Sequence, residues 1–137
     1  MAKDLIHDIV REALEKDSWV ITHDPLILFP NEGKIAIDLG VEKIIIAERN
    51  AQKIAVEIKS FTQPSIIYSF HEALGQYFNY LTALDEANEE RELFLAVSED
   101  VYASFGDNLV IRKSIERYNV KIILFDLENK EIVKWIK

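Results

Sequence analysis

Apolar positions change their period several times along this chain, and each change marks an element. Leu5, Ile6, Ile9, Val10, Ala13 and Leu14 recur at helical spacing, which predicts an amphipathic helix over 4–16. "SWVIT" at 18–22 predicts a short strand, closed by His23-Asp24-Pro25, and a loop with Pro30, Asn31 and Gly33 follows. "KIAIDLG" at 34–40 alternates as a strand does, interrupted or bulged at Gly40, and "VEKIIIAE" at 41–48 continues it. Arg49-Asn50-Ala51-Gln52 reads as a hairpin turn into "KIAVEIKSF". Gln63-Pro64-Ser65 then halts the sheet and caps a helix over 65–86. Its wide apolar face is traced by Ile66, Ile67, Phe70, Ala73, Leu74, Tyr77, Phe78, Leu81 and Leu84. "DEANEERE" is a solvated helix end and loop. "LFLAV" at 93–97 is a buried strand, a helical segment spans about 107–118, and "VKIILF" pairs with "EIVKWI" across "DLENK".

The order is helix, three strands, long helix, strand, helix, two strands. Strands joined by short turns make an antiparallel meander, and the return of "LFLAV" after a helix permits parallel pairing. The expectation is one α/β domain over 1–137, with a mixed central sheet flanked by helices. At 137 residues the chain is long enough to bury a core.

Composition narrows the chemistry. There is no cysteine, which removes disulfides, thiolate zinc sites and cysteine nucleophiles together. "MAKDLIHDIVREALEKD" is charged from Lys3 onward, unlike a signal peptide, and no run approaches the roughly 20 apolar residues of a membrane span. A cytoplasmic protein is expected. The net charge of −8 argues against a large nucleic-acid footprint, since the 16 basic residues are scattered. A DNA role would need a local patch, a metal or a partner. The acidic surface and the apolar "EIVKWI" hairpin, with Trp135 on an exposed edge, suggest a homo- or hetero-oligomer.

The candidate chemistry lies in "KIAVEIKS" at 53–60. On a strand Ile54, Val56 and Ile58 share one face, and Lys53, Ala55, Glu57 and Lys59 share the other. Glu-x-Lys by itself says little, because it also occurs at Glu32-Gly33-Lys34 and Glu128-Asn129-Lys130 in loops or turns. Only the Glu57 copy sits in an apolar strand, after an earlier strand that carries Asp38. Two readings stay open. The polar face makes surface ion pairs worth about 0–1 kcal/mol each. Alternatively Asp38 and Glu57 hold Mg²⁺ or Mn²⁺, a hard cation that takes one or two carboxylates plus waters and phosphate. Lys59 would then orient a water or stabilise developing charge. The 19 residues between Asp38 and Glu57 exceed a tight hairpin, so Glu42 or Glu48 competes for the second ligand position, and Glu12 could approach from the first helix. His7, His23 and His71 are too dispersed for a zinc site, and His23-Asp24 reads as a turn. Trp19 and Trp135 read as core or interface aromatics.

The order of elements, with "ID" before "VEIKS", resembles the PD-(D/E)XK, restriction-endonuclease-like fold. In the following helix Gln76 and Tyr80 of "GQYFNY" lie at i and i+4, similar to the Q-x-x-x-Y element of nuclease domains related to RecB and of some resolvases. More narrowly, "DPL", "IDLG", "AQKIAVEIKSF", "ALGQY" and "EIVKWI" resemble the XisH family, the cyanobacterial fdxN-element excision controlling factors. That resemblance runs from Lys3-Asp4 to Trp135. It implies a role in programmed, site-specific DNA excision, beside a recombinase and the companion factor XisI. It further implies that Asp38 is the motif aspartate, Glu57 and Lys59 the E-x-K pair, and Gln76 with Tyr80 the helix pair. Two functions follow from it: a metal-dependent DNA endonuclease or nickase, or a non-catalytic regulatory protein on a nuclease scaffold.

Overall fold

The computed structural model describes residues 3–45, 50–61 and 64–137. Twelve elements follow in the order α1 (Lys3–Lys16), β1 (Val20–His23), β2 (Leu26–Leu28), β3 (Ile35–Ile37), β4 (Leu39–Ile45), β5 (Asn50–Ile58), α2 (Ile66–Glu86), β6 (Glu92–Ser98), α3 (Glu99–Gly106), α4 (Leu109–Arg117), β7 (Ile122–Asp126) and β8 (Glu131–Ile136). Six strands form one sheet in the order β1-β4-β5-β6-β7-β8, while β2 and β3 make a separate two-stranded ribbon. β5 pairs with β6, and β6 with β7, in parallel; the other neighbours are antiparallel. The result is a mixed α/β fold with a central mixed sheet and four helices, as the alternation of periods predicts.

Each sheet face buries its own apolar set. On one face Ile6, Ile9, Val10 and Leu14 of α1 pack against Leu39, Val41, Ile54, Val56, Ile58, Phe94 and Phe125. On the other, Phe70, Ala73 and Tyr77 of α2 and Ile111 and Ile115 of α4 cover Ala55, Leu93, Leu95, Val97 and Ile122. Ala55 thus faces α2 while Ile54 and Val56 face α1, the split that the period of two requires. Tyr77 ties the layers together: its hydroxyl donates to the Leu93 carbonyl at 3.4 Å and accepts from the Lys121 amide at 3.2 Å.

Several boundaries differ from the sequence reading, each for a local reason. Asn50, Ala51 and Gln52 are the start of β5 and not a turn, because they pair with Ile45, Ile44 and Lys43. Ser65 is the N-cap of α2 without a side-chain cap bond; the Ser69 amide bonds its carbonyl. The helical segment expected near 107–118 is α4, capped by Asn108. A further helix, α3, precedes it where Ser98 accepts from the Val101 amide and Glu99 and Asp100 occupy the positive first turn. The sheet break expected at Gly40 lies at Asp38, between β3 and β4. The bulge sits across the sheet on β1, where the register shifts between Ile21 and His23. Trp135 is half-buried and not exposed, its ring centroid 5.6 Å from Trp19 and 5.0 Å from Phe94.

Candidate functional site

The β4–β5 ladder builds the site. It runs from Ile45↔Asn50 to Leu39↔Val56, and one further step along both strands sets Asp38 opposite Glu57. The 19-residue separation is therefore the length of a long hairpin. Asp38 is aimed by its place in the gap between β3 and β4, with Oδ2 accepting from the Ile58 amide at 2.8 Å. Glu57 shares the Ala55 face and lies under α2, only 5 % exposed. The surface-pair reading of this strand face does not survive that burial.

Lys59, two residues on, points the same way. Its Nζ lies 3.7 Å from Glu57 Oε1 and donates to Gln76 Oε1 on α2. Tyr80, one helical turn beyond Gln76, packs beside them. Its hydroxyl is pushed up to about 12, first by burial and then by the negative charges of Glu57 and Asp38. Asp38, Glu57, Lys59, Gln76 and Tyr80 thus meet in one place, from the β3–β4 gap, the end of β5 and one helix.

The other carboxylates lie elsewhere. Glu42 is four residues from Asp38 along β4, about 13 Å, and its carboxylate is 3.3 Å from Arg91. Glu12 pairs with Lys16 at 3.6 Å on α1, the helix that covers the opposite sheet face. Glu48 lies outside the described residues. No group of three or more His, Asp or Glu side chains among the described residues gathers around a common point. The donor set for a metal is then two carboxylates, Asp38 and Glu57. That set fits a hard cation that completes its shell with water and phosphate, and fits zinc poorly.

Sequence reasoning placed His23 in a turn. It is the last residue of β1, paired across to Gly40. Asp24, the next residue, faces α1 and is held by His7 Nε2 at 2.8 Å and Arg11 Nη1 at 2.6 Å. The signal that could have flagged His23 is Gly40, a glycine inside a strand, which often marks close approach of another group.

No helix among the described residues is long and apolar enough to cross a membrane. Among curated proteins, no sequence matches this chain. Two solved structures are similar throughout. One is an XisH family protein from Nostoc punctiforme PCC 73102, 38% identical, with a TM-score of 0.86, covering 98% of this chain and 100% of that one. The other is an fdxN element excision controlling factor protein from Anabaena variabilis, with the same 38% identity, 0.86 TM-score and coverage of 98% and 100%. The family model described as XisH protein matches residues 1–133, and the chain belongs to the XisH family.

Proposed function

We propose that this protein hydrolyses a DNA phosphodiester bond during programmed, site-specific excision, acting as a metal-dependent endonuclease or nickase on a restriction-endonuclease-like scaffold. The observation that carries this reading is a buried Glu57 at the end of a strand ladder, with Asp38 opposite and Lys59 Nζ 3.7 Å away. Asp38 and Glu57 would hold Mg²⁺ or Mn²⁺. Such a cation would supply the charge that polarises the phosphate and lowers the pKa of an attacking water.

The protein's own groups do the rest. The Ile58 amide fixes the Asp38 carboxylate. Gln76 accepts from Lys59, which keeps the ammonium at the mouth of the site and not fully folded onto Glu57. Lys59 stabilises charge that develops on the phosphoryl oxygens. Tyr80 keeps its proton throughout the neutral range, so it serves as a hydrogen-bond donor to the phosphate. Excision control is the role that the name of the Anabaena relative gives to that protein. We extend it to this chain, with the companion factor XisI and a site-specific recombinase as partners.

The net charge of −8 favours a second reading, a non-catalytic regulator that uses the scaffold for binding. Supercoiled DNA carrying the element borders, incubated with Mn²⁺ and the companion factor, separates the two. Nicking by the wild type and none by Lys59→Ala supports hydrolysis. DNA or recombinase binding with no nicking and no metal-dependent rise in Tm would establish the regulator.

A further inference from the structure

We infer that His23 is a further catalytic residue of this site, the general base that takes the proton from the attacking water; the inference rests on the hydrolytic reading above. Three independent features of the fold lead to it. The first is the β1 bulge. Ile21 pairs with Val41 and packs on the α1 side of the sheet. By strict alternation His23 would point the same way as Ile21. The register shift between them makes His23 the partner of Gly40 and turns its side chain to the opposite face, the one that carries Ala55 and Glu57. Bulges re-aim side chains in this way.

The second feature is Gly40. A methyl group added there would lie 3.1 Å from both Cβ and Nδ1 of His23 and 3.3 Å from its Cγ. The imidazole therefore rests over the bare backbone of β4, in the space a side chain would fill. From Gly40 to Asp38 is two residues along the strand, about 7 Å. That gap would admit a water and a phosphate group between the imidazole and the Asp38–Glu57 pair. His23 is exposed, so core packing does not account for the bulge or for the glycine.

The third feature sets the tautomer. The hydroxyl of Thr22 has a single proton, which it donates to the Gly40 carbonyl at 3.1 Å. The 3.0 Å contact between Thr22 Oγ1 and His23 Nδ1 then needs the imidazole as donor. Nδ1 carries the proton, and Nε2 keeps its lone pair. On the far side, His7 and Arg11 hold Asp24 against α1, which fixes the backbone just beyond His23.

In the step, Nε2 of His23 accepts one proton from water as the water oxygen forms a bond to phosphorus. One phosphorus–oxygen ester bond breaks, and the departing oxygen takes a proton from solvent. Lys59, held beside Glu57 by Gln76, would meet the charge that develops on the phosphoryl oxygens.

Two measurements test the inference. In the metal-free protein, ¹⁵N–¹H spectra of the imidazoles at neutral to mildly alkaline pH should show His23 with Nδ1 protonated and Nε2 bare. Thr22→Val should release that preference. Adding Mn²⁺ should broaden the His23 ring signals ahead of those of His71. In the nicking assay His23→Gln should lower kcat by about 10²–10⁴, with KM and the metal-dependent rise in Tm unchanged. Gly40→Ala should lower kcat in the wild type and by a smaller factor in His23→Gln, where no imidazole is left to displace. Protonated Nε2 in the wild type, or an unchanged kcat in His23→Gln while the wild type nicks DNA, overturns the role of His23 alone. A wild type with neither nicking nor metal-dependent stabilisation overturns the hydrolytic reading and the base together.

Discussion

Two places on the β4–β5 hairpin carry buried charge, and they handle it differently. Near its middle, Arg91 has a side chain only 2% exposed, with Nε 2.7 Å from Glu89 Oε1 and Nη2 3.3 Å from Glu42 Oε1. Nη1 donates to the Ile54 carbonyl at 3.3 Å. The planar guanidinium spreads its donors over three acceptors from three segments, so the cluster is closed and structural. At the end of the hairpin, Lys59 is one cation beside two carboxylates, Glu57 and Asp38, and part of its hydrogen bonding goes to Gln76. Both places set one cation beside two carboxylates, but here the most buried charge is the Glu57 carboxylate, and Asp38 is held by the Ile58 amide instead of the lysine. A buried cation shared among three acceptors holds a fold together; a buried carboxylate with a second carboxylate beside it suits a further cation.

The largest effect should come from breaking the closed cluster. Arg91→Ala strands Glu42, Glu89 and the Ile54 carbonyl, and should lower the unfolding free energy by about 3–5 kcal/mol in urea titrations. A loss no larger than that of Lys59→Ala would erase the contrast. Next comes Lys59→Ala itself, which should cut kcat for nicking by about 10²–10³ while the rise in Tm with Mg²⁺ persists. If that rise disappears, the lysine holds the site together and does not act on the transition state.

Glu57→Ala should remove metal-dependent stabilisation, about 2.7 kcal/mol at a hundred times Kd. Without metal this variant should be as stable as the wild type or more so, because active-site carboxylates held together are strained. Calorimetry with and without Mg²⁺ reads both parts, and a strongly destabilised apo variant would place Glu57 with Arg91 as a structural charge.

The smallest effect concerns Tyr80. Its pKa rises from an ordinary 10.0 to about 12 on folding, through burial and then the charges of Glu57 and Asp38. The folded state thus keeps a proton that the unfolded state releases, so stability falls as pH climbs from about 10 to about 12. Tyr80→Phe should lose less stability than the wild type over that window in alkaline denaturation. Equal losses would mean that neither burial nor the carboxylates raise the Tyr80 pKa.

Much of this architecture was legible in the residues. The alternation of Ile54, Val56 and Ile58 with Ala55, Glu57 and Lys59 specified which side chains share a face, because a strand leaves no other choice. The spacing of Phe70, Ala73 and Tyr77 placed the apolar face of α2, and with it Gln76 and Tyr80 on one flank. The ribbon of β2 and β3 was half legible: the alternation of "KIAIDLG" marked Ile35–Ile37 as strand, but Leu26–Leu28 lies where a loop was expected, three residues being too few for periodicity to register. α3 was not legible, because its Glu99-Asp100 start reads as polar loop until Ser98 is seen as its cap.

The sequence by itself determined the longer elements, their apolar faces and the side on which Glu57 and Lys59 stand, since these follow from local periodicity. Only the tertiary structure decided that this polar face lies under a helix and not in water, because burial depends on what packs above a strand. It also matched Asp38 to Glu57 across the ladder, and sent Glu42 to Arg91 and His23 to the site face. Pairing register and bulges arise from contacts between segments far apart in the chain, which no local pattern encodes.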